Sequence, residues 1–411
     1  MKKNNKFIRK FVKEINSNSN FSMYEVIIIV LISICFGIIV GYILTYTNSN
    51  IYTLRSDSNL NDIVTTYNDI NKYYYKDVDN KKLSEAAVSA MINSLDDPNT
   101  SYISDKLNDD FNESINGQFV GIGVTIKYDG EYNKVISVNK GDPADKAGIK
   151  KNDIIIKIDG KDCKGVYGDD ITKLIRGKVG TKTVITIKRD DELKDTTVVR
   201  DSIDIQSVES KIYTEDKQKI GYIRISVFAS NTYEQFEKSL SKLEKEKIDS
   251  LIIDLRSNPG GYIESSRNML SLFFDKKVVL YQVQRLNSKK KKVYSKTSDK
   301  RSYPVVLLGN GSTASSSEIM ISCFKDNYEK SYFVGEKTYG KGTVQESQSL
   351  KSGNTIKYTT EKWYTPKGKS IDGKGIAPDY NVALSEEFYD NPTKENDNQL
   401  NEAIDILKKN H

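Results

Sequence analysis

The stretch that decides the fold begins with an apolar run, Val305-Val306-Leu307-Leu308. It continues through Gly311-Ser312-Thr313-Ala314-Ser315-Ser316-Ser317-Glu318-Ile319 and ends in Gly340-Lys341-Gly342-Thr343-Val344-Gln345. The apolar run has the length and the flanking residues of a buried strand, and the serines fall where the chain must turn into a helix. A hydroxyl at such a turn is exposed and can serve as a nucleophile. We therefore interpret residues 305–345 as the catalytic centre.

A serine hydroxyl needs a neighbouring base, and the usual base is histidine. The sequence has one histidine, His411, at its last position. A histidine triad and a zinc site built from paired histidines are therefore not expected, because a frayed terminus cannot hold catalytic geometry. Lysine is the alternative base. Lys341 is the best candidate, because Gly340 and Gly342 let neighbouring backbone pack closely and burial lowers the pKa of a lysine.

Two other interpretations of this stretch stay open. A cluster of Ser, Thr and Gly is often a loop with a helix cap, and Ser317 with Glu318 fits capping chemistry. Residues 335–341 also match the first seven positions of a phosphate-binding loop. That second match fails at Gly342, which has no hydroxyl for magnesium, and residues 343–347 alternate like a strand where a helix is needed.

The composition is that of a globular protein of two or three domains, with 411 residues, 37% hydrophobic and 29% charged. The net charge of +6 is modest and many lysines are spread along the chain, so a nucleic-acid partner is not expected. We interpret the lysine run at 289–292 as a solvated hairpin tip. Three widely separated cysteines, at positions 35, 163 and 323, do not indicate a disulfide framework.

An uncharged apolar run of 21 residues, 26–46, is long enough to span a membrane. The basic residues before it predict a cytoplasmic N-terminus and an extracytoplasmic location for the rest; they are Lys2, Lys3, Lys6, Arg9, Lys10 and Lys13. The alternative is a cleaved signal peptide, but the run is long for one and Gly37, Gly41 and Tyr42 make a poor cleavage site. We predict a cytoplasmic tail at 1–24 and an uncleaved anchor at 25–47.

The chain after the anchor has two further segments before the catalytic stretch. Residues 58–116 are a predicted N-terminal helical segment, in which the helical periodicity runs from Asn59 to about Leu95 and is stopped by Asp96-Asp97-Pro98-Asn99. Residues 117–200 have a separate character, with strands predicted at 120–127, 134–138, 153–159 and 183–189, and short helices at 143–147 and 169–175. This is a compact module of peptide-binding size.

The module resembles a bacterial PDZ domain. The resemblance rests on residues 141–149, GDPADKAGI, and residues 152–160, NDIIIKIDG. It implies that Gly121-Ile122-Gly123-Val124 is the loop that captures a peptide carboxylate, while the peptide adds a strand to a sheet edge. Asn152 stands where the family usually has glycine, and asparagine tolerates the left-handed conformation.

The second half alternates strands and helices. A strand at 220–225 and a helix at 232–245 precede a buried strand at 251–255, which ends in Arg256-Ser257-Asn258-Pro259-Gly260-Gly261. A glycine pair at the end of a buried strand can turn backbone N–H groups toward a cleft, as an oxyanion hole requires. The alternative is a plain tight turn.

Residues 254–261, 313–319, 335–345 and 365–379, in this order and behind a PDZ domain, resemble the carboxyl-terminal processing, or tail-specific, serine peptidases. The resemblance implies an α+β chain whose PDZ domain is inserted in a twisted-sheet Ser/Lys protease core similar to the crotonase and Clp-type folds. The core would span 201–390 and a C-terminal helix or tail 391–411. No cofactor and no metal are expected.

The family pattern S-A-S-A-S-E identifies Ser315 as the nucleophile, with Ser316 as second choice. The spacing from Ser315 to Lys341, 26 residues (341 − 315), is one more than the family suggests. Gln345 matches the supporting glutamine. Backbone N–H groups of Gly260 or Gly261 and of Ser316 are the predicted oxyanion hole.

The sequence thus predicts a membrane-anchored extracytoplasmic serine endopeptidase that binds protein C-termini. The alternatives are an inactive PDZ adaptor and a nucleotide-binding protein. Arg176, at the end of the helix at 169–175, is a candidate regulatory residue; whether the PDZ domain gates the active site or only tethers substrate stays open. The expected partners are protein C-termini and, through residues 26–46, the membrane. The oligomeric state, including a homo-oligomer, is left open.

Overall fold

The computed structural model describes residues 22–56, 58–298 and 300–409. The basic residues before the apolar run, and His411, lie outside them. The chain divides into two compact units, with the boundary after Met91. The first contains helices α1 (Met23–Ser56), α2 (Ser58–Tyr73) and most of α3 (Asn80–Asn93). Within α1, the 19 residues Tyr24–Tyr42 have a mean hydropathy of 2.6 and are long and apolar enough to cross a membrane, a property that a signal sequence shares.

The second unit begins with β1 (Ser101–Ile103) and α4 (Asp105–Asn116). A module of short strands follows: β2 (Gln118–Gly121), β3 (Val124–Tyr128), β4 (Asn133–Val138), α5 (Pro143–Lys146), β5 (Ile154–Ile158), β6 (Lys161–Asp162), α6 (Asp169–Ile175), β7 (Lys182–Arg189), β8 (Glu192–Val199) and β9 (Asp201–Asp204). Its main sheet has the order β3-β4-β5-β7-β8, and β2 pairs with β9. Buried aliphatic side chains, mostly isoleucines, fill its core. The predicted strand at 120–127 is broken after Gly121, because Gly123 has a φ of 77° and the Ile122 carbonyl accepts from Ala144 N–H at 2.8 Å.

The rest of the chain alternates strands and helices around a larger sheet. The elements are β10 (Val208–Glu215), β11 (Gln218–Ile225), α7 (Thr232–Lys245), β12 (Ser250–Asp254), α8 (Ile263–Ser271), β13 (Val279–Arg285), β14 (Lys291–Tyr294), β15 (Val305–Gly309), α9 (Ser316–Asn327), β16 (Ser331–Gly335), β17 (Thr343–Ser349), β18 (Thr355–Tyr364), β19 (Tyr380–Asn381), α10 (Glu386–Asp390) and α11 (Asn398–Lys409). The sheet order is β10-β11-β12-β15-β16-β19. Within this sheet, neighbouring strands pair in parallel along β11-β12-β15-β16-β19. Every residue of β12 and β15 is buried, as expected of parallel strands covered on both faces.

Helices cover both faces of this sheet. On one face, apolar side chains of α7, α8 and α9 form a single core with the sheet. On the other face, α11 packs through Leu400, Ala403, Ile404 and Leu407. The chain is therefore a mixed α/β protein whose loops, at the ends of the buried strands, are held by a rigid three-layer body.

A second sheet has the order β1-β18-β13-β14, with β17 also paired to β18. Because β1 precedes the small module and β18 follows the catalytic stretch, the module is an insertion between two pieces of one core. The run at 289–292 is exposed and lies in the turn from β13 to β14 and at the start of β14. The predicted hairpin tip is confirmed for Lys289 and Lys290, whereas Lys291 and Lys292 belong to β14, and Lys290 Nζ donates to the Gly368 carbonyl at 2.9 Å.

Candidate active site

Three loops of the large sheet converge at one edge. The loop after β12 carries Gly260 and Gly261, the loop after β15 carries Ser315, and the loop after β16 carries Lys341. These strands are neighbours and parallel, so their carboxyl ends lie at the same edge, where ligands bind in open α/β sheets. All four residues line one cavity of about 500 Å³.

The serine turn is backbone-strained at Ser315. This residue has φ 55° and ψ −117°, and α9 begins directly after it. A non-glycine residue in such a conformation costs about 1–3 kcal/mol and needs support from its surroundings. Its N–H donates to Glu318 Oε2 at 2.8 Å and its carbonyl accepts from Ile319 N–H at 2.9 Å. The helix N-cap is thus Ser315, whereas the sequence suggested capping by Ser317.

The two serines that follow are buried, and their hydroxyl groups donate hydrogen bonds to backbone carbonyls. Ser316 Oγ donates to the Gly261 carbonyl at 2.9 Å, and Ser317 Oγ donates to the Asn258 carbonyl at 3.1 Å. Ser315 is only half-buried. Of the three hydroxyl groups, the one on Ser315 belongs to a residue that lines the cavity.

The lysine loop packs as tightly as its glycines suggest. A Cβ on Gly340 would lie 2.6 Å from Gly375 N, and one on Gly342 would lie 2.5 Å from Asp372 Cβ. The Lys341 carbonyl accepts from Trp363 Nε1 at 2.7 Å. The backbone of Lys341 is therefore fixed, while its half-buried side chain extends into the cavity.

The surroundings of Lys341 disfavour its ammonium form. Burial lowers the pKa of Lys341 most, the positive charge of Lys357 lowers it further, and the negative charges of Asp97 and Glu318 partly oppose the shift. Within the part of the chain that the structure describes, the side-chain nitrogen of Lys341 makes no hydrogen bond or ion pair. The direction of the shift agrees with the sequence prediction.

Glu318 connects the serine turn to the lysine loop. Its Oε1 accepts from Thr338 Oγ1 at 2.6 Å and from Gly340 N–H at 2.7 Å, and its Oε2 also accepts from Lys341 N–H at 2.9 Å. Burial raises the pKa of this carboxyl, while these hydrogen bonds oppose the shift. Sequence reasoning assigned Glu318 only to capping. The signal for a further role was that it is the single charged residue in 311–324.

The glycine loop lies directly against the serine turn. A Cβ on Gly260 would fall 2.7 Å from the Ala314 carbonyl oxygen and 2.9 Å from Ser316 N. The N–H of Gly260 donates to Asn258 Oδ1 at 2.9 Å, so Gly260 does not fit the role of oxyanion donor that the sequence suggested for it. Asn258, which sequence reasoning missed, is fully buried and anchors this loop.

Gly261 offers the free N–H instead. Phe228 N–H donates to the Gly260 carbonyl at 2.9 Å, and Tyr262 N–H donates to the Phe228 carbonyl at 2.6 Å. This parallel bridge turns the N–H of Gly261 away from Phe228. Among the described residues it has no partner. Ser316, at the first position of α9, also has an N–H without an intrahelical acceptor.

Gln345 lies in the same cavity as Ser315 and Lys341. Its Nε2 donates to Thr343 Oγ1 at 2.9 Å and to Thr359 Oγ1 at 3.1 Å. Because Thr343 begins strand β17, no helix follows the lysine loop. The phosphate-loop alternative therefore lacks the helix it needs.

The remaining predicted residues lie in the inserted module. Gly121 ends β2, Ile122 and Gly123 form the connection, and Val124 begins β3, which is the edge strand of its sheet. Asn152 has a φ of 76°, the left-handed conformation expected there. Arg176, directly after α6, forms ion pairs with Asp110 at 3.1 Å and Glu113 at 3.0 Å on α4. It thus reaches beyond the module, to helix α4.

Comparison with known proteins decides the family. Residues 219–382 match peptidase family S41, residues 119–199 match the PDZ domain, and residues 44–107 match the N-terminal domain of the activating protease CtpB. A probable CtpA-like serine protease of Staphylococcus aureus (strain COL) is 36% identical over 350 residues, which cover 84% of this chain and 69% of that protein. The chain belongs to peptidase family S41.

A second relative agrees with this S41 assignment, and one solved structure is also similar to the chain. A probable CtpA-like serine protease of Staphylococcus saprophyticus is 32% identical over 372 residues, 90% of this chain and 74% of that protein. The solved structure of the photosystem II D1 C-terminal processing protease shares 24% identity, covers 80% of this chain and 88% of its own, and superposes with a TM-score of 0.47. The chain is a serine-type endopeptidase with a PDZ domain, and the predicted tail-specific peptidase family is confirmed.

Proposed function

We propose that this S41 peptidase cleaves proteins near their C-termini by acyl transfer, with Ser315 as nucleophile and Lys341 as general base. The observation that carries the proposal is the meeting of three loops at adjacent parallel strand ends, with one buried carboxylate, Glu318, bonded to both the serine turn and the lysine loop. Such fixed geometry is what a proton transfer between the two side chains requires.

In the first step, Ser315 Oγ attacks the scissile carbonyl and its proton passes to the neutral Nζ of Lys341. The N–H groups of Gly261 and Ser316 bind the resulting oxyanion. Lys341 then gives the proton to the leaving amine as the C–N bond breaks, leaving an acyl ester on Ser315. Water, deprotonated by Lys341, attacks this ester and releases the acid product. Burial and the nearby Lys357 support the role of Lys341, because both favour the neutral amine.

The buried contacts of Ser316 and Ser317 support Ser315 as the nucleophile, since either neighbour would have to give up a backbone hydrogen bond to react. We assign Gln345 to supporting Lys341: its amide oxygen would accept from the ammonium that forms after the first proton transfer. The cavity walls are largely apolar and include Phe228, Ile319 and Trp363. An apolar substrate side chain suits this pocket.

We assign the PDZ domain to capturing the substrate tail. An extended peptide would add to the free edge of β3, and the N–H groups of the loop at 121–124 would bind its carboxylate. The Ile122 and Gly123 carbonyls are held by Ala144 N–H and Asn139 N–H, which supports a loop whose amides face outward. Arg176 is the proposed regulatory residue, and its ion pairs with α4 are the contacts through which tail binding would act.

A non-cleavable peptide that binds only the PDZ groove separates gating from tethering. Gating predicts faster hydrolysis of a separate small ester, and Arg176→Ala should remove the acceleration. Tethering predicts no acceleration.

The same proposal places the enzyme at the cell membrane, with an uncleaved anchor at 26–46 and the catalytic region outside the cytoplasm. The apolar helix at Tyr24–Tyr42 supports it by length and composition. We also propose that the twisted-sheet core resembles the crotonase and Clp-type folds. Protease added outside intact cells should degrade the region after residue 47, and the mature chain should keep its N-terminus. An N-terminus between positions 41 and 49 would show a cleaved, released enzyme instead.

The test of the whole function uses the full chain in membranes and a protein substrate with either a free or an amidated C-terminus. We expect cleavage of the free tail, weaker cleavage of the amidated tail, and none by Ser315→Ala, while Ser312→Ala in the same loop retains activity. A wild-type chain that binds the tail without cutting it would favour the adaptor. Equal cleavage of the free and the amidated substrate would show that the enzyme does not recognise the C-terminal carboxylate.

A further inference from the structure

Gln345 belongs to a chain of hydrogen bonds that leaves the active-site cavity. Its Nε2 donates to Thr359 Oγ1 at 3.1 Å, and Thr359 Oγ1 donates to Asp97 Oδ2 at 2.6 Å. Asp97 lies in the turn after α3, far away in sequence, and is half-buried. The chain therefore connects the turn before the PDZ insertion to the proposed catalytic group.

The backbone holds this chain in place from both ends. Strand β1 pairs with β18, and Thr359 N–H donates to Thr100 Oγ1 at 3.1 Å, which itself donates to Asp97 Oδ2 at 2.6 Å. Gln345 is the cross-strand partner of Thr359, and the register of β17 shifts between Val344 and Gln345. The register shifts because β18 has one additional residue here, Thr360, and such irregular pairing is common beside active sites.

The protons along the chain can be arranged in one way only. Desolvation raises the pKa of Asp97, but hydrogen bonds from Thr100, Thr359 and Asn99 outweigh it and the pKa is lowered. Asp97 is therefore a carboxylate and can only accept. Thr359 has a single hydroxyl proton, which must go to Asp97, so its oxygen can only accept from Gln345. The NH₂ end of the Gln345 amide must then face Thr359.

We propose that Asp97 is a positioning residue for the catalytic base: through the Thr359 hydroxyl it fixes the Gln345 amide so that its carbonyl oxygen faces Lys341. The opposite amide orientation would turn an NH₂ group toward the lysine, which could not accept from the ammonium. This inference rests on the proposed role of Gln345. Asp97 also acts through its charge, together with Glu318 and against Lys357, on the pKa of Lys341.

The test measures kcat, KM and pH profiles on a small peptide ester that does not need the PDZ domain. Asp97→Asn should lower kcat about 10- to 100-fold with little change in KM, since misplaced catalytic groups cost rate rather than binding. The matched control is Asp96→Asn, which removes the same charge from an exposed neighbour. Asparagine tolerates the φ of 50° at that position. It should retain normal kcat.

A second variant separates orientation from charge. Thr359→Val removes the hydroxyl but keeps the carboxylate, so kcat should fall as in Asp97→Asn while the acid limb of the pH profile stays in place. Asp97→Asn should move that limb to lower pH, because a negative charge that favours the Lys341 ammonium is gone. Thr359→Ser should restore most of the rate, and the double variant Asp97→Asn/Thr359→Val should be no slower than the single ones.

Gln345→Ala distinguishes failure of this inference from failure of the proposed function. If Gln345→Ala is slow but Asp97→Asn and Thr359→Val both have normal kcat, the positioning role is wrong and the glutamine assignment stands. If Gln345→Ala itself has normal kcat, the proposed role of Gln345 fails and this inference with it. Additive losses in the double variant, or lower melting temperatures without a change in kcat, would also overturn it by indicating a merely structural turn.

Discussion

In the proposed mechanism the serine turn and the loop at 121–124 both present backbone N–H groups to a peptide, but the two segments are held in different ways. Ser315 has a strained conformation that depends on Glu318, whose other partners lie in the loop of Lys341, 20 to 23 residues away. The loop at 121–124 is held by nearby backbone groups and by Gly123, where an added Cβ would lie 2.4 Å from the Asp142 side chain. A long-range charged anchor fixes the proposed reacting groups relative to each other, whereas local backbone contacts hold the proposed tail-binding loop.

The largest effect is expected at the base. Lys341→Arg should lower kcat by about 10⁴-fold or more, as removal of other catalytic bases does, because arginine cannot be deprotonated. The melting temperature should change little. Lys337→Arg, at an exposed position of the same loop, is the control and should retain activity. Turnover near the wild-type rate by a folded Lys341→Arg protein would exclude lysine as the base.

The next effect tests the long-range anchor. The two carboxylate oxygens of Glu318 accept hydrogen bonds from four donors. In Glu318→Gln a single amide oxygen remains as acceptor, so two of these four hydrogen bonds are lost. We expect a loss of about 2–4 kcal/mol in unfolding free energy, since hydrogen bonds to a buried charge are strong. The value of kcat should fall about 100-fold, because the serine turn and lysine loop lose their common anchor. Glu336→Gln in the same loop should change neither quantity much. A Glu318→Gln protein with normal stability and rate would show that the two loops are positioned independently.

A smaller effect is expected for the charge beside the base. Lys357 lowers the pKa of Lys341, so Lys357→Met should raise that pKa and leave fewer neutral lysines at a given pH. The acid limb of kcat/KM should therefore move to higher pH. Lys351→Met, at an exposed position in the turn before β18, should leave the limb in place. A shift to lower pH would contradict the assigned environment.

The smallest effect on chemistry is expected at the PDZ loop. Gly123→Ala introduces strain and a clash with Asp142, so KM for a substrate with a free tail should rise about tenfold, the loss of one good binding contact. The rate on a tail-less ester should be unchanged. Gly130→Ala is the control, with a φ of 109° and open space around the added Cβ. If Gly123→Ala also slows the ester, the two regions are more closely coupled than the structure indicates.

Features of the fold and of the site that depend on local sequence pattern can be predicted from the sequence. The buried strand at 305–309, the crowding of Gly340 and Gly342, and the PDZ insertion follow from periodicity, glycine spacing and family motifs. The partners of Glu318 and Asp97 do not, because Thr359 and Asp97 are separated by 262 residues and only the pairing of β1 with β18 brings them together. The choice between Gly260 and Gly261 also needed the structure, because it depends on where the Asn258 side chain points.

The central claim is that Ser315 is the nucleophile of a dyad with Lys341, and the location of the acyl group tests it most directly. The wild-type enzyme is mixed with a peptide ester, quenched in acid during the burst phase, and the modified residue is mapped by mass spectrometry. We expect the acyl group on Ser315, and no accumulation in Lys341→Arg. An acyl group on Ser316 or Ser317, or a normal burst by Ser315→Ala, would contradict the account.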